Sequence, residues 1–286
     1  MPAMTLSQLE EARAALEAAG QLPDAELDLA GVALQLARID APEADWRHAA
    51  EILSTIAREA VAAAAADRQA DEGDAERRRA VLARLIHDRM GFCGDTETYD
   101  DPANANLIRV LERGRGLPVT LGILWLHAAE AAGWPAQGLD FPGHFLLALE
   151  GSRGAAVVDA FGGGAALQAP ELRTLLKRFA GEQAELKPGT LAPMDKRAVL
   201  LRLQNNIKLR RLRAGELEGA LACTEDMLRF APDAVALWRE AGVMHQRLDH
   251  IGAAIQRLER FLELAPEGDS AARVRGLLVE LRQRLN

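Results

Sequence analysis

The stretch QGLDFPGHFLLALEGSRGAAVVDAFGGG, residues 137–164, decides the fold class. It holds three short apolar runs with strand character, Gln137–Phe141, His144–Glu150 and Ala155–Ala160. Turn residues separate them: Pro142-Gly143, then Gly151-Ser152-Arg153-Gly154, and Gly162-Gly163-Gly164 closes the set. This spacing predicts a small antiparallel sheet. The segment just upstream, Val119–Ala132, has helical length and is apolar nearly all round, as a helix buried on every side must be. Gly133-Trp134-Pro135 stops it. A few strands within a helical chain make the fold class α+β, predominantly helical.

The amino-terminal half is helical. Residues 5–19 form a helix pattern opened by a capping box of Thr5 and Gln8 and ended by Gly20. A second helix follows Pro23-Asp24 and runs to about Arg38, and a third starts after Pro42 and includes Ala60–Ala66. The charged segment Asp67–Arg79 is a bend or a continuation, and residues 80–90 have helical spacing closed by Gly91. GFCGDTETYDDPANAN, residues 91–106, is loop chemistry, followed by a short helix over Asn106–Arg113 that Gly114 stops. Beyond the strands, PELRTLLKRFAGE reads as a helix and Lys187-Pro188-Gly189 as a linker.

The last hundred residues repeat. Leu228-Arg-Phe-Ala-Pro232 and Leu262-Glu-Leu-Ala-Pro266 are the same helix ending 34 residues apart, and Ala220 and Ala254 share the spacing. That period in an all-helical region is the tetratricopeptide signature. Trp238, Gly242 and Ala254 take its large and small positions, whereas Gln204 and Lys208 replace Trp and Gly in the first copy. The expected organisation is a domain over 1–187 and a repeat region over 190–286, with two repeats and a capping helix. Two repeats are fewer than the roughly three of a free-standing solenoid, so they are expected to lean on the first domain.

Composition narrows the function classes. The chain has 286 residues, 49% hydrophobic and 27% charged, which describes a globular protein with ample core. A net charge of −8 argues against nucleic-acid binding through phosphate neutralisation. Residues 191–286 carry 16 basic and 13 acidic side chains, so the negative charge lies in the remainder. Cys93 and Cys223 make neither a disulfide framework nor a CxxC half-site, which fits a reducing compartment. No signal peptide is visible, and the longest charge-free apolar run, Gly116–Ala129, is short of the roughly 18–20 residues that span a bilayer. A cytoplasmic protein without a membrane or nucleic-acid partner is expected.

His144 opens one strand and Asp159 nearly closes the next. A hairpin symmetric about Gly151-Ser152 places them directly opposite on one face, an imidazole oriented by a carboxylate. The plain alternative is a buried histidine satisfied by a neighbouring aspartate.

Arg115-Gly-Leu-Pro-Val-Thr-Leu-Gly-Ile-Leu-Trp-Leu, Gly133-Trp-Pro, Phe141-Pro-Gly-His144-Phe-Leu-Leu and Val158-Asp159-Ala-Phe-Gly-Gly resemble the SirB-type family. Gly91-Phe, Asp101-Pro, Asn104 and Val110-Leu-Glu-Arg upstream fit it as well. The resemblance implies a transglutaminase-like, papain-like amino-terminal domain followed by tetratricopeptide repeats. In that superfamily the triad is Cys–His–Asp, with the cysteine at the start of a buried helix. His144 and Asp159 then take the base and orienter positions, and Thr120 the nucleophile position. The helix carries no cysteine. A thiol near a helix amino terminus has its pKa lowered to roughly 3.5–7.5, an activation a hydroxyl does not share. Thioester chemistry is therefore excluded at this position, and a classical transglutaminase or cysteine protease is not expected. The resemblance also implies Ser or Thr there as a family trait, and a link to regulation of gene expression. Capping the helix or packing within it is the plain reading of Thr120.

Cys93, in the loop after Gly91, is the other candidate thiol, with semi-buried packing as its ordinary explanation. Cys223 reads as packing on a repeat helix, and His127 as a satisfied core residue. His48, His87, His245 and His250 show no partner spacing that suggests zinc, and no phosphate loop is present, so no metal or cofactor is expected. The expected function is non-catalytic binding of a protein or peptide partner through the repeats. The alternative is a hydrolase or acyl-transferase acting on amides or esters through Thr120, His144 and Asp159.

Overall fold

The structure is a computed structural model that describes residues 6–285; the Thr5 end of the expected capping box lies outside the described residues. The chain forms two compact units. One comprises Met1–Ala12 and Pro23–Leu203, the other Arg13–Leu22 and Gln204–Asn286. By contacts, residues 190–203 group with the first unit.

Helix α1 spans Leu6–Gly20, and α2 (Leu29–Asp40), α3 (Trp46–Ala66), α4 (Arg68–Asp71) and α5 (Ala75–Leu82) follow. Each of the last four opens on an aspartate, Asp28, Asp45, Asp67 or Asp74, whose carboxylate accepts the third backbone N–H beyond it. Segment 67–79 is thus a bend with two short helices. The helical spacing over residues 80–90 is realised differently from expectation: α5 ends at Leu82 and Ala83–Arg89 is π-helical. Next come β1 (Cys93–Gly94), α6 (Leu107–Arg113), β2 (Arg115–Gly116) and α7 (Pro118–Ala131). Gly114, in the left-handed region at φ +70°, ends α6. β1 and β2 pair in parallel.

α7 is buried along nearly its whole length, as its almost wholly apolar sequence requires. It packs on α3 and on the main sheet. That sheet contains β3 (Ala136–Phe141), β4 (His144–Leu149), β5 (Ala156–Asp159), β6 (Ala165–Ala166) and β7 (Ala192–Met194). Its order is β6-β5-β4-β3-β7, all antiparallel. β3 and β4 join through Pro142 and Gly143 (φ +70°), the residue types of a type II turn. Alternation splits β4 between two cores. Phe145 projects onto α7, where a Cβ at Gly122 would lie 2.3 Å from its ring. Leu146 and Ala148 face the other way, packing with Leu139 and Phe141 against Leu172 and Leu176 of α8 (Ala169–Ala180).

The second unit is helical hairpins: the end of α9 (Lys196–Arg213) with α10 (Leu217–Phe230), then α11 (Val235–Arg247) with α12 (Ile251–Leu264), then α13 (Asp269–Gln283). Ala220 and Ala254 are fully buried, and a Cβ at Gly242 would meet Leu258 Cγ at 2.6 Å, so the small repeat positions are steric requirements. The Trp238 indole N–H donates to Pro232 O at 2.8 Å. In the first copy, buried Lys208 pairs with Glu240 at 2.5 Å, and Gln204 Oε1 accepts from Cys223 Sγ. α13 lays Val274, Leu278 and Leu281 against Ala254, Leu258 and Phe261.

Candidate functional site

His144 is the first residue of β4, placed by the Pro142-Gly143 turn. Its backbone carbonyl accepts from the Arg202 guanidinium, which also pairs with Asp140 and so ties down the tip of the hairpin. Asp159 ends β5, and the glycines after it curl the chain back so that Gly164 N–H donates to Asp159 O at 2.8 Å. His144 Nε2 and Asp159 Oδ1 are 2.9 Å apart. A carboxylate only accepts, so Nε2 carries the proton of the neutral ring and Nδ1 keeps the lone pair. The same Oδ1 accepts from Phe161 N–H at 3.0 Å.

The symmetric hairpin register is corrected. The ladder pairs Leu147 with Val158, Ala148 with Val157 and Leu149 with Ala156. Continuing it sets Asp159 beside Leu146, two positions from the place opposite His144. A two-residue offset preserves the face, and an imidazole reaches a diagonal neighbour. The turn closes through Gly154 N–H donating to Gly151 O, so its centre is Ser152-Arg153, one residue later than Gly151-Ser152, while Ser152 N–H donates outside the hairpin, to Gly73 O.

Aromatic rings frame the imidazole. Phe179 of α8 stacks on it at 5.6 Å between centroids, and Phe161 meets it edge-on at 5.9 Å. Tyr99 in turn meets Phe161 at 5.8 Å. Phe179 and Tyr99 are exposed, whereas His144 is 5% exposed. Phe179 sits this close because residue 143 is glycine; a Cβ there would lie 2.8 Å from it.

Thr120 is the third residue of α7 and is fully buried. It does not cap the helix: the N-cap position is Leu117, with Pro118 as first helical residue. Its hydroxyl donates to Asn104 O at 2.9 Å, and Leu117 N–H donates to the same carbonyl at 3.0 Å. Asn104 is itself buried. Its Nδ2 donates to Thr98 O at 2.7 Å, and its Oδ1 has no hydrogen-bond partner among the described residues. The loop is held by Asp95, whose carboxylate accepts from Thr98 Oγ1, Thr98 N–H and Glu97 N–H. These bonds, led by the Thr98 hydroxyl, outweigh burial and hold the Asp95 pKa at about 2. The Cys93 thiol takes a hydrogen bond from the Arg115 guanidinium.

Residues 48–205 match the model of the transglutaminase-like superfamily, and residues 207–279 that of the tetratricopeptide repeat. A UPF0162 protein of Xylella fastidiosa is 32% identical over 205 residues, covering 71% of this chain and 73% of its own. The chain belongs to the UPF0162 family. One from Vibrio cholerae is 34% identical over 201 residues (70% and 74% covered), and one from Pseudomonas aeruginosa 29% over 273 residues (96% and 97%). This SirB-like UPF0162 family combines a transglutaminase-like core with tetratricopeptide repeats, the pairing expected from the motifs.

In this UPF0162 chain the structure joins His144 to Asp159 and engages Thr120 elsewhere. Asn104, Phe161 and Phe179 complete the surroundings. Asn104 and Phe161 lie within the quoted motifs, but no local signal ties Phe179 to His144. His127 is a satisfied residue, Nε2 donating to Leu53 O at 3.0 Å. A groove of about 630 Å³ in the first unit is bordered by Leu29, Leu126, Trp134, Met194 and Lys196, and none of the three candidate residues lines it. Among the described residues no group of three or more His, Cys, Asp or Glu converges as a metal site, and no helix is long and apolar enough to cross a membrane.

Proposed function

We propose that this UPF0162 protein is a non-catalytic, regulatory binding protein. Its repeats take a protein or peptide partner, and its transglutaminase-like core is a degenerate triad of Thr120, His144 and Asp159. One observation carries the reading: the hydroxyl at the nucleophile position is fully buried and donated to Asn104 O. An attacking hydroxyl must instead give its proton to a base within hydrogen-bond reach. The His144–Asp159 pair then serves as a buried polar clasp between two strands. Tetratricopeptide repeats are a common protein-binding scaffold, and Leu209 and Leu212 of α9 are large apolar side chains left exposed.

The test is site-specific photo-crosslinking in cells, with benzoylphenylalanine at Leu209 or Leu212. A discrete crosslinked partner, competed by the unmodified protein, supports the reading. Equal, diffuse labelling from these positions and from exposed Val61 contradicts it.

A second reading rests on the His144 geometry. With Nε2 held by Asp159, Nδ1 is the nitrogen left to activate water or a hydroxyl, which is the arrangement of a hydrolase or acyl-transferase. His144-dependent turnover of an amide or ester separates the two readings.

A further inference from the structure

The turn between α11 and α12 brings together two histidines that sequence spacing does not connect. Asp249 takes φ +62°, and His250 N–H closes the turn on His245 O at 2.9 Å. The two Nδ1 atoms then face each other at 3.3 Å. The other nitrogen of His245, Nε2, lies 3.0 Å from Glu225 Oε1. Glu225 is gripped by Arg257 through both carboxylate oxygens, at 2.8 and 2.9 Å. Paired with the guanidinium through both oxygens, the Glu225 carboxylate is an acceptor toward His245. His245 therefore donates from Nε2, and its Nδ1 presents a lone pair to His250.

Two facing Nδ1 atoms need something between them, a proton or a cation. Two imidazole nitrogens on a tetrahedral zinc ion, each about 2.05 Å from it, stand about 3.3 Å apart. The carboxylate behind His245 is the outer partner that metal-bound histidines commonly have. The repeat fold does not demand the pair: one period earlier the same positions hold Arg211 and Glu216. His250 is exposed, which leaves room for water on a bound ion.

We propose that His245 and His250 form a two-nitrogen chelate for a divalent transition-metal ion, zinc or nickel, oriented by Glu225 and completed by water. Both rings bind as neutral ligands, so His250 carries its proton on Nε2. With two protein ligands the site is an exchangeable one, not a structural zinc.

The full chain is titrated with zinc chloride and with nickel chloride by calorimetry, and its melting temperature is followed in parallel. The expected result is one ion per chain, binding about 10-fold or more weaker in His250→Ala, and weaker also in Glu225→Gln. The ion is expected to raise the melting temperature of the wild type and not of His250→Ala, whose fold is checked by its metal-free melting. Equal binding by wild type and His250→Ala, or no binding to the wild type, overturns the proposal and leaves a proton shared between the rings.

Discussion

Thr120 Oγ1 donates to the backbone carbonyl of Asn104 at 2.9 Å, and Leu117 N–H shares that acceptor. The start of the buried helix α7 is thus joined to the loop ahead of it through one oxygen. The hydroxyl acts as a structural link. Thr120→Val keeps the shape and leaves Asn104 O one of its two donors. It is expected to cost about 1 kcal/mol in urea denaturation. A loss well under that size would mean the hydroxyl is not committed to Asn104.

Asp159 has two dependents, His144 Nε2 and Phe161 N–H. Asp159→Ala leaves two nearly buried donors unanswered, a loss of about 1–3 kcal/mol. In a His144→Ala background the cost should shrink, because one dependent is already gone. Equal costs in the two backgrounds, read from a double-mutant cycle, would show that the pair is not coupled.

The repeat region offers a matched pair of glycines. Gly242→Ala drives a Cβ to 2.6 Å from Leu258 Cγ and is expected to destabilise by about 1–3 kcal/mol. Gly276→Ala, on an exposed stretch of α13 with nothing within 4 Å, should stabilise by up to about 1 kcal/mol through helix propensity alone. Thermal melts of the two variants should move in opposite directions.

Asp95 makes the loop that holds Asn104 sensitive to acid. Its folded pKa, about 2, lies below the ordinary 3.8. A depressed carboxylate contributes stability that is present above its unfolded value and is lost as pH falls through about 2. Asp95→Asn should therefore be less stable than wild type at pH 5, with the gap closing toward pH 2. A gap that stays constant across that window would mean the charge of Asp95 is not what the loop uses.

Much of this was legible in the chain. Short apolar runs and the Pro142-Gly143 turn mark β3, β4 and β5, and the almost wholly apolar run 119–132 marks α7, because those signals are local. β6, β7 and the β1–β2 pair are two or three residues long, too short for any period, and exist only through tertiary pairing. His144 and Asp159 were readable as same-face neighbours because a strand has period two. Their register was not, since the turn closes from Gly154 N–H to Gly151 O and is centred one residue later than Gly151-Ser152. The acceptor of Thr120 lies 16 residues upstream in an irregular loop, and the partner of His250 lies across a strained turn at Asp249. Neither follows from spacing.

The account rests on His144 and Asp159 forming a clasp and not a catalytic base. Steady-state turnover of a panel of peptide amides and carboxylic esters, by wild type and by His144→Ala at equal folded concentration, tests that most directly. The account predicts the same background rate for both proteins with every substrate. Turnover by the wild type that His144→Ala abolishes would contradict it.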